Sequence, residues 1–172
     1  MAVDNPRITS PHAGLLDWLA GHDIEYELRE HPETFTAEAT AHAEHVDPRR
    51  FAKVVGVTTS DGRRALLLVD APDHVDLAKA GRVLGASEVR LMSEPEFAAV
   101  APECETGTIP PIPELFGLPV YADFILREAP ELSFHAGSHR HTVHVERVAW
   151  ERTSGIAYAD LARDDGTPAW AR

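Results

Sequence analysis

The sequence is poor in three features, and each shortage argues against a class of protein. No apolar run approaches the roughly 18 to 20 residues that a membrane-spanning helix requires. The start of the chain, MAVDNPRITSPHAG, has no charged segment followed by an apolar one, so we expect no signal peptide, no membrane association and a cytoplasmic location. The single cysteine, Cys104, has no second thiol with which to form an internal disulfide, and we interpret it as a small buried residue.

Basic residues are also scarce. The chain has 16 Lys and Arg against 28 Asp and Glu, which gives a formal net charge of -12. Affinity for a polynucleotide is built from clustered basic side chains, so this balance disfavours general nucleic-acid binding. A local basic pocket that holds one phosphate or one nucleotide end remains compatible with it.

The 172 residues and the 44% hydrophobic content predict one domain over residues 1–172. We expect its core to span about residues 15–150, followed by a polar tail over 151–172. Helical and strand patterns alternate without an internal repeat, which predicts a mixed α/β fold. The predicted helices are 11–20, 37–46, 74–84, one that begins after Ser93, and 157–163; the predicted strands are 24–28, a hairpin over 54–69, 89–92, 120–126, 132–136 and 142–145.

A lysine stands where the pattern predicts a buried strand. Lys53 precedes Val54, Val55 and Val57, and after a turn the run ALLLV completes a β-hairpin. An ammonium in such a sheet costs several kcal/mol unless it reaches a cleft or a partner. Lys53 therefore either extends to the edge of the sheet or is placed for chemistry.

Two glycine-containing segments are candidates for ligand contacts. The proline-rich segment 102–119 predicts a long shaped loop without a regular helix, and a second loop around Gly137 and Ser138 joins two predicted strands. Glycine permits close backbone approach and proline stiffens a loop, so the first loop suits gripping a small ligand. A rigid connector is the alternative. Its G-x-x-x-P motif consists of Gly107, Thr108, Ile109, Pro110 and Pro111.

The histidines offer a metal-binding alternative. His139, His141 and His144 form H-x-H-x-x-H, and the first two would share one face of a strand. Three such ligands would bind zinc and leave a position open for a hydrolytic water. Strand alternation instead puts His144 on the opposite face, which favours solvent-exposed imidazoles and no metal. We see no serine–histidine or cysteine–histidine triad in the sequence.

The order of these motifs resembles the YbaK/EbsC family of aminoacyl-tRNA editing domains, which is related to the editing insertion of bacterial prolyl-tRNA synthetases. The resemblance rests on the strand lysine Lys53, the G-x-x-x-P loop from Gly107 and the strand–Ala-Gly-Ser-His–strand segment, and it covers about Leu15 to Trp150. It implies a barrel-like mixed sheet with surrounding helices. It also implies a free-standing deacylase that hydrolyses the ester between a wrong amino acid and the terminal adenosine of a tRNA.

The resemblance also implies roles for individual residues. Lys53 would bind and polarise the end of the charged tRNA, and Gly107 to Pro111 would shape a pocket for small or compact amino acids. Gly137 and Ser138 would line the same cavity. His31 stands where relatives often carry a histidine, with a capping or packing role as the alternative. No metal or cofactor is implied, and a synthetase is a possible partner.

The sequence departs from the family pattern at two places and leaves alternatives open. Two prolines, Pro110 and Pro111, end the G-x-x-x-P motif, where many relatives have one proline followed by an aromatic residue or glycine. Ser-His-Arg-His follows Gly137 in place of a small, basic, glycine-containing run, so the motifs do not identify the amino acid that is removed. A non-catalytic module that binds an aminoacyl end or an adenylate is the second interpretation. A histidine-ligated metallohydrolase is the third, although it requires neither Lys53 nor Gly107.

Overall fold

The computed structural model describes residues 7–164. The helices within that range are α1 Ala13–Gly21, α2 Ala37–Ala43, α3 Leu77–Leu84, α4 Glu94–Val100, α5 Pro113–Phe116 and α6 Arg147–Ser154. The strands are β1 Tyr26–Glu30, β2 Ala52–Thr59, β3 Arg64–Asp70, β4 Val89–Leu91, β5 Val120–Asp123, β6 Glu131–Ser138, β7 His141–Glu146 and β8 Ala157–Ala159. Short 3-10 helices at Pro48–Arg50 and Phe124–Glu128 complete the regular structure of this range.

The strands form two sheets. One has the order β1-β7-β6 and is antiparallel, and the other has the order β4-β2-β3-β5-β8. In the second sheet β2 is antiparallel to β3 and β4, whereas β3, β5 and β8 run parallel. An isolated bridge between Phe51 and Ser133 joins the two sheets. The mixed α/β fold is therefore confirmed, and its barrel-like sheet consists of two bridged parts.

The predicted hairpin is confirmed, and β3 lies at the centre of the core. Leu66 and Leu68 pack in a cluster on one face of the sheet, while Leu67 and Val69 pack in a cluster on the other. Strands pair with β3 on both edges, and the two clusters cover both of its faces, so its apolar side chains do not meet solvent. This position explains why its sequence is a continuous apolar run rather than an alternating one.

Local capping signals set most helix boundaries. The Thr36 side chain caps α2, and Ser93 with Glu96 forms a reciprocal capping box at α4. Helix α3 begins at Leu77 rather than at residue 74, because the Asp76 carboxylate accepts hydrogen bonds from the first free amide groups. Between residues 7 and 164, no helix has the length and the apolar character needed to cross a bilayer.

The first strand differs from the prediction. It runs from Tyr26 to Glu30 instead of over 24–28, and the side chains of Tyr26 and Leu28 are on the surface. Strand β1 is an edge strand that pairs only with β7, and the exposure of Tyr26 and Leu28 shows that, within residues 7–164, no layer covers the face that the alternation predicted to be buried. Ile24 is buried, but it precedes the strand.

The prediction of regular structure needs two corrections between residues 102 and 126. Segment 102–119 contains the short helix α5, which ends at Gly117 in a left-handed conformation with φ of +63°. Strand β5 ends at Asp123 rather than continuing to residue 126. The Asp123 carboxylate accepts from the amide of Ile125 and starts a 3-10 helix there.

The predicted helix over 157–163 is wrong. Ala157–Ala159 is strand β8, which pairs in parallel with β5, and the amides of Leu161 and Ala162 donate to Asp123. The first part of the predicted polar tail contains this strand and the end of α6, while residues 165–172 lie outside the described range. Residues 157–159 form a strand because they pair with β5, which lies more than thirty residues earlier in the chain. No local sequence pattern shows that pairing.

Candidate active site

A gap in the pairing of β2 creates the main candidate site. The bridge to Ser133 involves Phe51, and the pairing with β4 begins only at Val57. Between these two points the edge of β2 borders an open cavity of about 400 Å³. A volume of this size is within the range of roughly 300 to 1,000 Å³ that is usual for small-molecule sites.

The cavity walls come from many separate parts of the chain. Lys53 and Gly107 are both in the wall, and Gly107 can contribute only main-chain atoms. A Cβ at Gly107 would meet nothing within 4 Å, and the φ of this residue is +84°. The other lining residues are Phe35, Thr36, Ala37, Glu38, Val54, Val55, Gly56, Ala71, His74, Leu91, Met92, Phe97, Thr106 and His135.

The ammonium of Lys53 is held by main-chain oxygens. Its Nζ donates to the carbonyl of Asp73 and, at 3.3 Å, to the carbonyl of Ala71. Burial lowers the pKa of Lys53, and the charges of Glu38, Asp70 and Asp73 act in the opposite direction. An ammonium has three N–H donors, so two bonds to the turn leave one donor for a group in the cavity.

The inner wall contains a neutral histidine. The Nε2 atom of His135 lies 2.9 Å from the Thr40 hydroxyl, and its ring makes a T-shaped contact with the ring of Phe51, with centroids 5.1 Å apart. Burial lowers the pKa of His135 to about 3, with the neighbouring imidazoles of His139 and His31 as smaller causes. His135 is therefore uncharged at neutral pH, and Lys53 is the one Lys or Arg side chain among the lining residues.

The rim of the cavity is apolar and exposed. Phe35 is 71% exposed and Leu91 is 58% exposed, which makes them the two most exposed large apolar side chains in the described part of the molecule. The Phe35 ring packs against His139 with centroids 5.0 Å apart. Large exposed apolar side chains that share one rim are typical of a binding surface.

Sequence reasoning did not assign Phe35, Glu38, His74 or Leu91 to the site. The one signal for Phe35 is an aromatic residue isolated in the polar segment Glu33-Thr34-Phe35-Thr36. The other residues reach the cavity only because α2, the turn after β3 and strand β4 surround the open edge of β2.

Most of the G-x-x-x-P motif lies behind the cavity wall. Thr108 and Ile109 are fully buried, and Pro110 and Pro111 are buried as well. The Thr108 hydroxyl donates to the carbonyl of Glu105, and the carbonyl of Pro111 accepts from the indole of Trp150. The prediction that these four residues shape the pocket directly therefore needs correction, because they anchor the loop that presents Gly107.

Gly137 and Ser138 also support the loop from behind rather than line the cavity. The Gly137 amide donates to the carbonyl of Thr108, and the Gly137 carbonyl accepts from the amide of Glu105. A Cβ at Gly137, whose φ is +90°, would lie 2.9 Å from the Cβ of His12. Ser138 is fully buried, with its hydroxyl 2.6 Å from Nδ1 of His141.

His31 lies in a buried polar cluster away from the cavity wall. Its Nδ1 is 2.7 Å from the carbonyl of Pro32, and its Nε2 is 3.8 Å from the Glu44 carboxylate. The geometry matches the packing alternative and not a substrate contact.

The three histidines of the H-x-H-x-x-H motif separate into different environments. His141 contacts Ser138, His144 contacts Ser133 and the Glu44 carboxylate at 2.9 Å, and His139 packs on Phe35. Over residues 7–164, no three His, Cys, Asp or Glu side chains converge as metal ligands. The geometric basis for a zinc hydrolase is therefore missing from this motif.

The thiol of Cys104 is buried, and burial raises its pKa to about 12. A thiol with so high a pKa is almost wholly protonated at neutral pH and is a poor nucleophile. Cys104 therefore does not offer a second catalytic route.

Comparison with known proteins identifies the family. The model of the aminoacyl-tRNA editing domain matches residues 31–153, and the chain belongs to that family. The matched range contains every residue of the cavity wall. The family resemblance expected from the motif order is thus confirmed.

Similar proteins share the region or the fold. Proline–tRNA ligases from two strains of Acidithiobacillus ferrooxidans are 31% identical over 112 residues, which is 64% of this chain and only 19% of each ligase. The crystal structure of "a putative trans-editing enzyme for prolyl tRNA synthetase" superimposes with a TM-score of 0.77 at 25% identity and covers 90% of this chain and 99% of that chain. A hypothetical protein superimposes with a TM-score of 0.78 over 87% of this chain and 99% of its own, at 16% identity, which shows the fold alone.

Proposed function

We propose that this protein is a trans-editing deacylase that hydrolyses the ester between a wrongly attached amino acid and the terminal adenosine of a tRNA. The observation that carries the proposal is that Lys53 and Gly107, from distant parts of the chain, line one open cavity in a member of the editing family. Lys53 is the catalytic group of this proposal, and Gly107 is its substrate-binding counterpart.

The chemistry follows from the groups in the wall. Attack of water on the ester carbonyl, with loss of a water proton to solvent, produces a tetrahedral centre with negative charge on the former carbonyl oxygen. Collapse of this centre breaks the bond from the acyl carbon to the ribose oxygen, which takes up a proton and leaves as the hydroxyl of the terminal adenosine, while the amino acid leaves as its carboxylate. A preorganised donor in a partly dry cavity stabilises that charge strongly, and the remaining N–H of Lys53 is such a donor. The carbonyls of Ala71 and Asp73 keep the ammonium oriented before substrate arrives, so little reorganisation is needed in the transition state.

In this proposal the exposed rim of the cavity binds the nucleoside part of the substrate. Phe35 presents an exposed ring at the mouth of the cavity that contains Lys53. Stacking of a nucleobase on an aromatic side chain contributes about 1 to 3 kcal/mol to binding, as measured by the loss when alanine replaces the aromatic residue. We assign Phe35 to the terminal adenine, which would leave the ester to extend inward toward Lys53. This arrangement needs no cluster of basic residues and agrees with the net charge of -12.

The amino-acid selectivity of the proposed enzyme comes from residues other than those the motif suggested. Ile109 and Pro110 do not project into the cavity, so their bulk does not limit the side chain. In this proposal the amino-acid side chain is limited by the apolar wall residues Val54, Met92 and Phe97, which favour compact side chains. One methylene in such a pocket is worth about 1 to 3 kcal/mol, which is enough for selection among small side chains.

The relatives suggest which tRNA is involved. The matched ligases are named for proline, and a similar structure is described as a trans-editing enzyme for prolyl tRNA synthetase. We therefore propose tRNA charged by prolyl-tRNA synthetase as the substrate and that synthetase as a partner. We expect the protein to act where tRNA is charged, in the cytoplasm, without a metal cofactor.

A panel of misacylated tRNAs tests the proposal. Wild-type protein is expected to hydrolyse a few esters with compact side chains and to spare those with large aromatic ones. The panel should include each ester on proline tRNA and on an unrelated tRNA, with the Lys53→Met variant as the matched inactive control. Binding of the tRNA end without hydrolysis of any ester would reject the deacylase and support the binding module instead.

A further inference from the structure

The two carbonyls that hold Lys53 belong to the turn after β3. Ala71 and Asp73 are its contact residues, and the turn is itself closed by a hydrogen bond from the amide of Asp73 to the carbonyl of Asp70. The amide of Ala71 also donates to the carbonyl of Pro48, in the 3-10 helix before β2. The orientation of the ammonium therefore depends on how this turn is fixed to the start of β2.

One ion pair joins the same two segments. Nη1 of Arg49 lies 2.8 Å from Oδ2 of Asp70 and 3.7 Å from Oδ1 of Asp73. The side chain of Asp70 is fully buried, whereas that of Arg49 is 39% exposed. The amide of Arg49 donates to the Asp47 carboxylate, which caps its 3-10 helix. The pair thus connects the 3-10 helix that leads into β2 to the turn that leaves β3.

Asp70 has the environment of a group that is costly to bury. Burial, together with the nearby Asp73 carboxylate, raises its pKa to about 6, although Arg49 acts in the opposite direction. Burial of a carboxylate costs several kcal/mol unless the charge is paired, and Arg49 is the cation that pairs with Asp70 here. The burial is explained if the pair must keep the turn in one conformation.

We propose that the Arg49–Asp70 ion pair is a positioning pair for Lys53, which fixes the turn whose carbonyls orient the ammonium. This inference rests on the proposed deacylase for its kinetic consequence, but its structural consequence can be measured without any substrate. Neither Arg49 nor Asp70 lines the cavity, so both act on the reaction through Lys53.

The lysine content of the chain makes the test direct. The sequence contains two lysines, Lys53 and Lys79. With lysine labelled by ¹³C, the chemical shift of each ε-carbon followed against pH reports the pKa of each ammonium separately. Lys79 contacts Asp160 and Ala162 on another part of the fold and is the internal standard.

The informative variants are Asp70→Ala and Asp70→Asn. Alanine removes both the charge and the acceptor for Arg49, whereas asparagine removes the charge and keeps an acceptor oxygen. Loss of the negative charge by itself lowers the pKa of Lys53, because Asp70 stabilises the ammonium. Release of the turn exposes the ammonium to water and raises that pKa. The two explanations therefore predict opposite signs for Asp70→Ala.

A positioning pair gives the following results at pH 7.5. Asp70→Ala raises the pKa of Lys53, leaves that of Lys79 unchanged, and lowers kcat for ester hydrolysis about tenfold with KM within about twofold. Asp70→Asn restores most of kcat. The control Asp123→Asn removes a carboxylate at the end of neighbouring strand β5, which holds Leu161 and Ala162, and alters neither the pKa of Lys53 nor kcat.

Three results would overturn the inference. The first is an unchanged pKa of Lys53 in Asp70→Ala. The second is a lower pKa of Lys53 in both Asp70 variants, together with the same kcat in the two variants. The third is a loss of kcat in Asp123→Asn as large as the loss in Asp70→Ala. If Asp70→Ala does not fold, Arg49→Met repeats the kinetic measurement, and rescue of kcat by the conservative variant Arg49→Lys supports the positioning role. If wild-type protein cleaves no ester, the deacylase fails while the lysine titration still decides the positioning role.

Discussion

The two lysines of the chain are both largely withdrawn from solvent, yet their surroundings are opposite. Lys79, on helix α3, forms ion pairs with Asp160 at 2.8 Å and Asp164 at 3.2 Å and also donates to the carbonyl of Ala162. The hydrogen bond to Asp160, more than its burial, sets the direction of its pKa, which is raised. Lys53 donates to two neutral carbonyls, and burial lowers its pKa.

The difference separates a structural lysine from one available for chemistry. The charge of Lys79 is neutralised by carboxylates that it contacts directly, so its N–H donors are already engaged and are not available to a ligand. The charge of Lys53 is oriented but not neutralised by contact, and it borders a cavity. A cation in such a site gains most when a negative charge develops beside it, as it does in ester hydrolysis.

The largest effect is expected at Lys53, where a substitution tests whether this lysine takes part in the chemistry. Lys53→Met is expected to reduce deacylation about 10²- to 10³-fold, the usual loss when one donor to an oxyanion is removed. Its free energy of unfolding is expected to remain within about 1 kcal/mol of wild type or to increase, because a partly desolvated charge is removed. Single-turnover hydrolysis and urea denaturation measure the two quantities. Near-wild-type hydrolysis would remove Lys53 from the mechanism.

A smaller effect is expected at Gly107, in the wall of the same cavity. Gly107→Leu would place a side chain in the cavity and is expected to lower kcat/KM at least about tenfold, a loss of about 1.4 kcal/mol in transition-state binding. Gly62→Leu is the matched control, because φ is +86° at Gly62 and +84° at Gly107 and neither Cβ meets an atom within 4 Å. Both variants carry the same backbone strain, so equal kcat/KM in the two would exclude Gly107 from the site.

The rim gives the next effect, and it concerns binding rather than chemistry. Phe35→Ala is expected to raise KM about tenfold with kcat nearly unchanged, because stacking of a base contributes about 1 to 3 kcal/mol. Phe124→Ala is the control, since Phe124 is 50% exposed and stacks on Tyr158 away from the cavity. Fluorescence anisotropy of a short RNA ending in CCA measures the same contact without hydrolysis. Equal affinity in both variants would contradict the assignment of Phe35.

The smallest effect on hydrolysis is expected at Lys79, and it tests whether this lysine is structural in contrast to Lys53. Lys79→Met is expected to leave hydrolysis unchanged and to lower the free energy of unfolding by about 1 kcal/mol, because its partners are mostly exposed. The folded pKa is raised, so this contribution is fully present below the unfolded value near 10.5 and is lost as pH rises through the folded pKa. Denaturation of both proteins at pH 7 and at pH 11 measures the difference. A large loss of hydrolysis would mean that Lys79 is not purely structural.

Local chemistry made much of the fold predictable. The β2–β3 hairpin follows from β-branched residues around a Ser-Asp-Gly turn, and the starts of α2 and α4 follow from Thr36 and Ser93. These signals depend on residues within a few positions of one another, so they survive in the sequence alone. The order of Lys53 and Gly107, separated by strand β3, helix α3, strand β4 and helix α4, was also readable as a family pattern.

Contacts between distant residues decided the rest. The sequence by itself determined that Lys53 lies on a strand and that Gly107 begins a glycine loop. Only the tertiary structure decided that Phe35 and Leu91 form the rim, that Thr108 to Pro111 and Gly137 to Ser138 lie behind the wall, and that residues 157–159 are a strand. The physical reason is that exposure of a side chain depends on which element packs over it, and that partner lies tens of residues away along the chain.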